Sequence, residues 1–373
     1  MKYYIVLTKV HAKRIKRESN PASELPKSDL TLLAQNLNAT FITPESYPIG
    51  PTTLTDKIRA NLASTSENWA FARAIADNLK SDDIVFCPGE EIGVPLASIY
   101  GAKQQRPKII VWFHRITGLK SLVVLKLLNI GQLVDLAVVS SRTNQTLLQN
   151  HLNWAKEHIL FWWHPINIDY FASKVSVADQ PTSKLRPVVA SVGLERRDYN
   201  LLAAATAKLD LDVKVAGFSQ FQSRTAKNFP QVMPVNMSNK KYSTSELLRL
   251  YREADVVAIC LKENDGTSGV TVLLEAMACR KPIVCTLTKG LSDYLDDQQA
   301  MMIIQPGDVA GLQKAILYLL NNPQEAEYQA ERAFRLAVER CEVESQVNVL
   351  AKFIRTVEQR ATVKMIEKIQ KIT

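Results

Sequence analysis

The chain has 373 residues, which exceeds what one ordinary hydrophobic core holds and suits two domains. Its 46% apolar and 22% charged residues predict globular folding throughout, and we find no repeat of solenoid period. The net charge of +9 fits an acidic partner (nucleic acid, anionic lipid or a phosphorylated substrate) or a merely basic solvated surface. The one basic cluster, residues 11–17, lacks interleaved aromatic residues, which argues against nucleic-acid binding.

In the first half, apolar strand-like runs alternate with helical patterns. The run at Tyr3–Thr8 is too short for a signal-peptide core and predicts a buried first strand. Helical patterns lie at Asn68–Leu79 and Thr143–Leu152. Alternation of this kind indicates βαβ units and a parallel sheet. Four further strands are predicted, at Asp83–Cys87, Lys108–Phe113, Leu136–Ser140 and His158–Trp162.

Membrane and metal signals are weak. The longest apolar stretch, Leu122–Val139, is broken by Lys126, Asn129, Gln132 and Asp135, which argues against a membrane span. With no signal peptide, we expect a cytoplasmic protein, and the basic charge leaves peripheral contact at the inner membrane face open. The five cysteines are odd in number, as expected for a reducing compartment. Neither cysteines nor histidines show metal-ligand spacing, so no metal site is predicted.

In the second half the alternation restarts at Arg186. A Ser243-x-x-Glu246 capping box opens a helix predicted at Tyr242–Glu253. Predicted strands lie at 186–193, 212–217, 255–261, 282–286 and 301–304. Further helices are predicted at 199–209, 270–279, 309–321 and 324–341, and from 345 onward.

A polar segment at Phe171–Leu185 divides the halves. We therefore predict an α/β protein of two Rossmann-like, doubly wound domains, residues 1–170 and 171–354, that face a cleft. A terminal helix at about 355–373 is expected to pack back on the first domain. Open parallel sheets bind ligands at the carboxyl ends of their strands, and domain interfaces favour small-molecule sites.

The most informative segment is the loop and helix that follow the strand ending at Leu261. Thr267-Ser268-Gly269 lies where an apolar helix begins at Val270. Free backbone N–H groups and the helix dipole make such a turn an anion site, and Gly269 would let a phosphate approach closely. The alternative is simple N-capping by Thr267 or Ser268, which needs no ligand.

Glu275 stands in this helix among residues that are almost all apolar. Burying a carboxylate without a partner costs several kcal/mol, so a ligand partner is indicated. It lies about seven residues from the helix start, or roughly 10 Å along the axis. That distance fits the separation of a diphosphate from the ribose hydroxyls of one nucleotide, which a carboxylate binds in dinucleotide folds. The alternative is a surface glutamate on the one solvated stripe.

The segment resembles the nucleotide-sugar motif of the family-4-type, or group 1, retaining glycosyltransferases, which have the GT-B fold. In that family two glutamates eight positions apart flank a glycine-containing loop and an apolar helix, and an Ala-Met-Ala stretch and a Pro-Ile-Val-like strand follow. Leu273–Val284 matches this pattern closely. Other stretches that are similar to family segments are 136–141, 165–171 and 247–257.

Two departures from the family are clear. Thr267 occupies the position of the first motif glutamate, which in the family contacts the donor sugar. Asp265 or Glu263 would be the replacement carboxylate. The family's glycine-rich loop after the first strand is also absent, and Lys9-Val10-His11 stands in its place.

The resemblance also implies catalytic groups. Gly193 with Arg196 and Arg197 corresponds to the family's glycine and cations, which bind the donor diphosphate. Arginine suits that role because it donates in bidentate fashion. Arg197 is the better candidate and Arg196 the second, with solvated loop arginines as the alternative. His114, after the strand 109–113, resembles a histidine near the donor sugar, and the alternative is a structural histidine.

Glu90 and Glu91 follow an earlier strand and either touch an acceptor or are solvated loop acids.

We therefore expect transfer of a glycosyl group from a nucleotide sugar to a hydroxyl acceptor, with retention of configuration. The nucleotide sugar is a substrate, and neither a cofactor nor a metal is expected. The alternatives are a non-catalytic nucleotide-sugar-binding relative and a nucleotide-sugar epimerase. The expected donor-binding residues are Gly193, Asp265, Gly266, Thr267, Ser268, Gly269, Val270 and Glu275.

Overall fold

A computed structural model describes residues 1–20, 25–47, 49–101, 103, 105–114, 116, 118–152, 154–173, 185–217 and 228–370. It divides the chain into unit 1, Met1–Trp163 with Glu344–Thr373, and unit 2, His164–Val343. The boundaries predicted after residues 170 and 354 each lie inside a helix. Most of the predicted polar linker, residues 174–184, lies outside the described residues.

In unit 1 the described residues form a six-stranded parallel sheet with the order β2-β1-β3-β4-β5-β6. The strands are β1 Tyr3–Val6, β2 Thr40–Ile42, β3 Ile84–Cys87, β4 Lys108–Phe113, β5 Leu136–Val139 and β6 Ile159–Phe161. The helices are α1 Lys9–Glu18, α2 Asp29–Leu37, α3 Leu54–Ala60, α4 Ser66–Ala76, α5 Glu90–Tyr100, α6 Gly118–Leu127, α7 Ile130–Leu133, α8 Arg142–Leu152 and, after unit 2, α15 Val343–Gln370. The strand order reverses between β1 and β3, which is the topological switch point of this unit.

Unit 2 has a second parallel sheet, with the order β12-β11-β10-β7-β8-β9 among its described residues. Its strands are β7 Val188–Val192, β8 Asp212–Ala216, β9 Met237–Asn239, β10 Val256–Ile259, β11 Ile283–Thr286 and β12 Met302–Ile304. Its helices are α9 Ile168–Ala172, α10 Tyr199–Thr206, α11 Thr244–Glu253, α12 Val270–Ala278, α13 Val309–Asn321 and α14 Pro323–Cys341. This is the strand order of dinucleotide-binding folds, with the switch point between β7 and β10.

The two Rossmann-like sheets confirm the predicted fold class. The central strands β3, β5, β7, β10 and β11 are buried along their whole length because helices cover both faces of each sheet. The capping box predicted at Ser243 is present: Ser243 N–H donates to Glu246 Oε2 (2.7 Å), and Glu246 N–H to Ser243 Oγ (3.3 Å). The helix therefore begins at Thr244, two residues later than predicted.

Two edge strands were not predicted, β2 and β9. Each has three residues, too few to show an alternating pattern. The basic cluster lies in α1, where Lys13, Arg14, Lys16 and Arg17 are exposed. All five cysteines are free thiols. Within the described part of the chain, no helix has both the length and the apolar character needed to cross a lipid bilayer.

The last helix, α15, belongs to unit 1 from Glu344 onward. Trp162 Nε1 donates to the Gln346 carbonyl (2.8 Å), and Asn36 Nδ2 donates to Asn348 Oδ1 (2.7 Å). Tyr3 donates its hydroxyl to Glu358. These contacts hold α15 against β1, α2 and the end of β6.

Asp135 ties the first residues of β4 to the start of β5. Its carboxylate accepts from Arg106 Nη1 (2.6 Å), Lys108 Nζ (3.1 Å) and the Ile109 N–H (2.9 Å). The side chain is largely buried, so this pairing is shielded from solvent.

Asp135→Ala is expected to lower the free energy of unfolding by about 2–3 kcal/mol, because two cations and a backbone N–H lose their acceptor. Urea unfolding followed by tryptophan fluorescence measures this. Asp82→Ala is the control, since Asp82 pairs with the N-terminal ammonium in solvent. An unfolding midpoint that is equal for Asp135→Ala and wild type would contradict the assignment.

Candidate active site

The candidate site lies at the switch point of unit 2, where the loops after β7 and β10 are joined by hydrogen bonds. Arg197 and Leu261 form an antiparallel bridge. Lys262 N–H donates to the Arg196 carbonyl (2.9 Å), and Asp198 N–H to the Cys260 carbonyl (2.9 Å). The structure thus brings the predicted arginine loop directly beside the start of the predicted glycine loop.

Arg197 is buried, with 3% of its surface exposed. Its Nε donates to the Val192 carbonyl (2.7 Å) and its Nη1 to the Glu195 carbonyl (3.0 Å). No carboxylate of a described residue forms an ion pair with it. A buried charge without a counter-charge is costly, which makes this guanidinium a candidate partner for an anion.

Gly193 and Arg196 shape the turn around this guanidinium. Gly193 has φ +96°, and a Cβ there would lie 2.6 Å from Arg197 Nη2. A Cβ there would displace the guanidinium from its present position, and the positive φ itself favours glycine. Arg196 also has positive φ, and its exposed side chain makes no hydrogen bond to another described residue. Arg196 thus projects from the loop that Arg197 supports from within.

The glycine loop leads into α12 with Gly269 as N-cap, at φ +98°. No side chain caps this helix, so capping by Thr267 or Ser268 is not what the structure shows. The Thr271 and Val272 N–H groups in the first turn of α12 keep their capacity to bind an anion, whereas the Val270 N–H donates to the Thr267 carbonyl (3.1 Å). Asp265 is half-buried and makes no hydrogen bond or ion pair to another described residue, whereas Glu263 accepts from the Lys289 N–H (3.4 Å).

A contact that the sequence did not predict fixes the loop from the other side. The 3₁₀ helix Lys289–Tyr294 follows β11, and Gly290 N–H donates to the Asn264 carbonyl (3.3 Å). A Cβ on Gly290 would lie 1.8 Å from the Gly266 carbonyl oxygen, so any larger residue would displace the loop.

Glu275 lies on α12, about 9 Å along the axis from Gly269. It is half-buried and accepts a 2.5 Å hydrogen bond from the hydroxyl of Tyr251 on α11. Burial, followed by the Glu275 carboxylate, raises the pKa of Tyr251 well above its ordinary value, so the tyrosine stays a donor. Arg197 lies within electrostatic range of the same hydroxyl. The structure therefore joins Tyr251 directly to Glu275, with Arg197 within electrostatic range of the pair.

Lys262 is a cation that the sequence analysis missed. It is half-buried directly after the β10 loop begins, and its Nζ donates to Asn228 Oδ1 (3.4 Å). Asn228 in turn donates to the Leu194 carbonyl (2.7 Å), so Asn228 links the lysine to the arginine loop. The position of Lys262 just after the carboxyl end of a central strand could have indicated that it belongs to the site.

His114 belongs to unit 1, where it follows β4. Its ring Nε2 donates to the Pro88 carbonyl (2.9 Å), and its backbone N–H donates to Glu90 Oε2 (2.9 Å). Its ring lies 4.1 Å from that of Trp112. These contacts hold the imidazole in place, as expected for the structural histidine that was the alternative. That His114 approaches a donor sugar stays a prediction.

A second polar group surrounds the switch point of unit 1. His11 Nδ1 is hydrogen-bonded to Thr8 Oγ1 (3.1 Å), and burial lowers its pKa against the opposing effect of Glu91. Burial raises the pKa of Glu90. His11, which the sequence analysis noted only as standing where the family has glycines, thus lies within electrostatic range of Glu91 and His114. Among the described residues, no group of three or more potential ligands is arranged to hold a metal.

Comparison with known proteins identifies the second unit. Residues 187–322 match the family of group 1 glycosyl transferases. No curated protein matches the chain by sequence. Among solved structures, sucrose-phosphate synthase from Thermosynechococcus elongatus superposes with a TM-score of 0.70 at 16% identity, over 96% of this chain and 99% of that one.

Two further structures are similar. A glycosyltransferase from Rickettsia africae gives a TM-score of 0.68 at 14% identity, over 95% of this chain and 98% of that one. HepE from Anabaena, solved in complex with UDP-glucose, gives a TM-score of 0.67 at 16% identity, over 95% of this chain and 100% of that one. At these identities the likeness establishes the fold. With the family match in unit 2, the chain carries a group 1 glycosyltransferase domain and is a glycosyltransferase of the GT-B fold.

Proposed function

We propose that the protein transfers a glycosyl group from a nucleoside-diphosphate sugar, bound at the switch point of unit 2, to a hydroxyl acceptor. The observation that carries this proposal is Arg197, a buried cation without an acid partner among the described residues, beside a glycine turn. A diphosphate supplies the missing negative charge, and the uncapped start of α12 offers further N–H donors to it.

The remaining parts of the donor have matching groups nearby. The Glu275 carboxylate, which accepts from Tyr251, is proposed to bind the two ribose hydroxyls. The loop from Asp265 to Ser268 suits the sugar, with Asp265 as the acid in place of the family's first glutamate. UDP is the first nucleotide to test, because HepE binds UDP-glucose and the trehalose-phosphate synthase from Burkholderia vietnamiensis is UDP-forming.

The proposed reaction breaks the bond between the anomeric carbon and the diphosphate oxygen and forms one to the acceptor oxygen. Negative charge grows on the departing diphosphate, where Arg197, Arg196 and Lys262 stabilise it without a metal. With retention of configuration, acceptor attack and departure occur on one sugar face, and the acceptor proton passes to the leaving diphosphate. The carboxyl edge of unit 1, with Glu90, Glu91 and His114, is proposed as the acceptor side.

Glu275→Gln is expected to weaken UDP binding by about 10- to 100-fold, because a charge-assisted bond to the ribose is lost. Isothermal titration calorimetry with UDP measures this. Glu327→Gln, on the exposed surface of α14, is the matched control.

Tyr251→Phe separates a ligand role from a purely structural one, since it removes the hydroxyl and keeps the carboxylate. It should bind UDP within a few-fold of wild type. If Glu275→Gln loses stability as Tyr251→Phe does and both bind UDP normally, the carboxylate only braces α11 against α12.

Arg197→Met should abolish most of the thermal stabilisation that UDP gives to wild type, because the buried positive charge is gone. The melting temperature without ligand should change little, since two bonds to carbonyls are lost while the cost of burying a charge is relieved. In turnover, kcat should fall by a larger factor than KM rises. A UDP-induced shift equal to that of wild type would move the diphosphate site elsewhere.

A donor screen with variants at Thr267 and Asp265 distinguishes an enzyme with a shifted donor preference from a protein that only binds nucleotide sugars. A hydroxyl cannot accept from two sugar hydroxyls as a carboxylate does. We expect wild type to turn over at least one nucleotide sugar in a donor screen, Asp265→Asn to lose that activity, and Thr267→Glu to change which sugar is accepted. UDP binding by wild type without turnover of any donor would support the non-catalytic alternative.

A further inference from the structure

Helix α1 of unit 1 presents a row of cations to solvent. Successive residues of a helix are turned by about 100°, so positions i, i+4, i+7 and i+8 lie on one side of it. Four exposed cations of α1 have this spacing, and none forms a hydrogen bond or ion pair with another described residue. The members of this α1 stripe are Lys9, Lys13, Lys16 and Arg17.

The opposite side of α1 is fixed to the rest of unit 1. Ala12 is buried there, and the Glu18 side chain, 2% exposed, accepts from Arg14 Nε (2.9 Å). Glu18 also accepts from the hydroxyls of Ser28 (2.9 Å) and Thr31 (2.7 Å) at the start of α2. Because these contacts set the rotation of α1 about its own axis, they keep the α1 stripe turned outward.

The α1 stripe is unfavourable for the helix that carries it. Lys9 and Lys13 are like charges four residues apart, and so are Lys13 and Arg17, a spacing at which charges on a helix repel. Lys9 also stands at the positive end of the helix dipole, in a first turn that contains no acid. Departures of this kind from local preferences are expected where a surface serves a function, here the attraction of an anion from outside.

The acids close to α1 do not neutralise the stripe. Glu67, exposed at the start of α4, lies within electrostatic range of Lys9 at one end of the stripe. Glu18 and Asp29 face α1 from the inner side, where Arg14 offsets them. The other three cations of the stripe form no ion pair with any acid in the described part of the chain.

The composition of the α1 stripe favours a bilayer over a nucleic acid. Lysine, which supplies three of the four cations, is a hydrated point charge without the planar fork by which arginine recognises nucleic-acid phosphates. No phenylalanine, tyrosine or tryptophan stands in α1 for stacking on bases. Because the four cations share one side of a helix, a flat surface can meet all of them, and helical clusters of this size bind anionic lipid headgroups.

We propose that the α1 stripe binds unit 1 to a membrane surface rich in anionic lipid. The attraction is electrostatic and reversible, since each cation contributes modestly and salt screens all of them. Helix α1 begins shortly after β1, so the polar group at the unit 1 switch point lies within one helix length, about 15 Å, of the bound headgroups. Only the corollary that the acceptor hydroxyl belongs to a lipid rests on the proposed function.

The experiment is co-sedimentation of the full chain with phosphatidylcholine vesicles and with vesicles of equal parts phosphatidylcholine and phosphatidylglycerol. We expect wild type to bind the anionic vesicles only, and more weakly as salt is added. The triple variant Lys13→Gln, Lys16→Gln, Arg17→Gln should lower the partition coefficient by about 100-fold at low salt, because each cation contributes about fivefold.

The matched control removes the same charge from other exposed lysines of unit 1, in the triple variant Lys126→Gln, Lys156→Gln, Lys352→Gln. It should bind the anionic vesicles as wild type does, because the α1 stripe is intact. Circular dichroism should show both triple variants folded, so that a loss of binding reports the surface and not the fold.

The proposal is overturned if wild type does not bind the anionic vesicles, or if the α1 variant binds them as well as wild type. An equal loss in both triple variants would also overturn it, since total charge alone would then decide binding. So would wild-type binding to a single-stranded RNA oligonucleotide, lost in the α1 variant, without vesicle binding by wild type. Because no step measures glycosyl transfer, these outcomes leave the proposed function standing.

Discussion

Every described strand in both sheets is paired in parallel, and this constraint organises the protein. Parallel strands cannot be joined by tight turns, so their connections cross the faces of each sheet, and most of them bury a face with a helix. The polar loops are thereby confined to the strand ends. At the switch points, β1 with β3 and β7 with β10, neighbouring connections leave in opposite directions and open a crevice. Side chains with chemical capacity gather at both crevices.

The two crevices differ in charge. That of unit 2 holds Arg197, whose burial in a frame of backbone carbonyls leaves its charge without an internal acid among the described residues. That of unit 1 holds Glu90 and Glu91 beside His11 and His114. A diphosphate suits the first and hydroxyl groups, which donate to carboxylates and imidazoles, suit the second. The proposed function accordingly assigns anion recognition to the first crevice and hydroxyl recognition to the second.

Much of this was predictable from local patterns. Continuous apolar runs located the central strands, and Thr267-Ser268-Gly269 before an apolar helix located the uncapped start of α12. Glu275 was found because one acid interrupts that helix. Tyr251 was missed because its partner, Glu275, lies 24 residues away in the sequence. Gly290 was missed because its close approach to the Gly266 carbonyl exists only once the two loops have folded together. The burial of Arg197 was equally invisible, because a loop arginine reads as solvated until its neighbours are placed.

The chain order of the units has a consequence for synthesis. Unit 2 is one continuous stretch, whereas unit 1 is interrupted and completed by residues from Glu344 onward. On the ribosome, unit 2 can close its core as soon as α14 has emerged, because domains fold as units when their residues are available. The contacts of α15 with β1 and α2 must wait for the last helix, and Trp162 meets its partner Gln346 only then. The half of the molecule made first is therefore finished last.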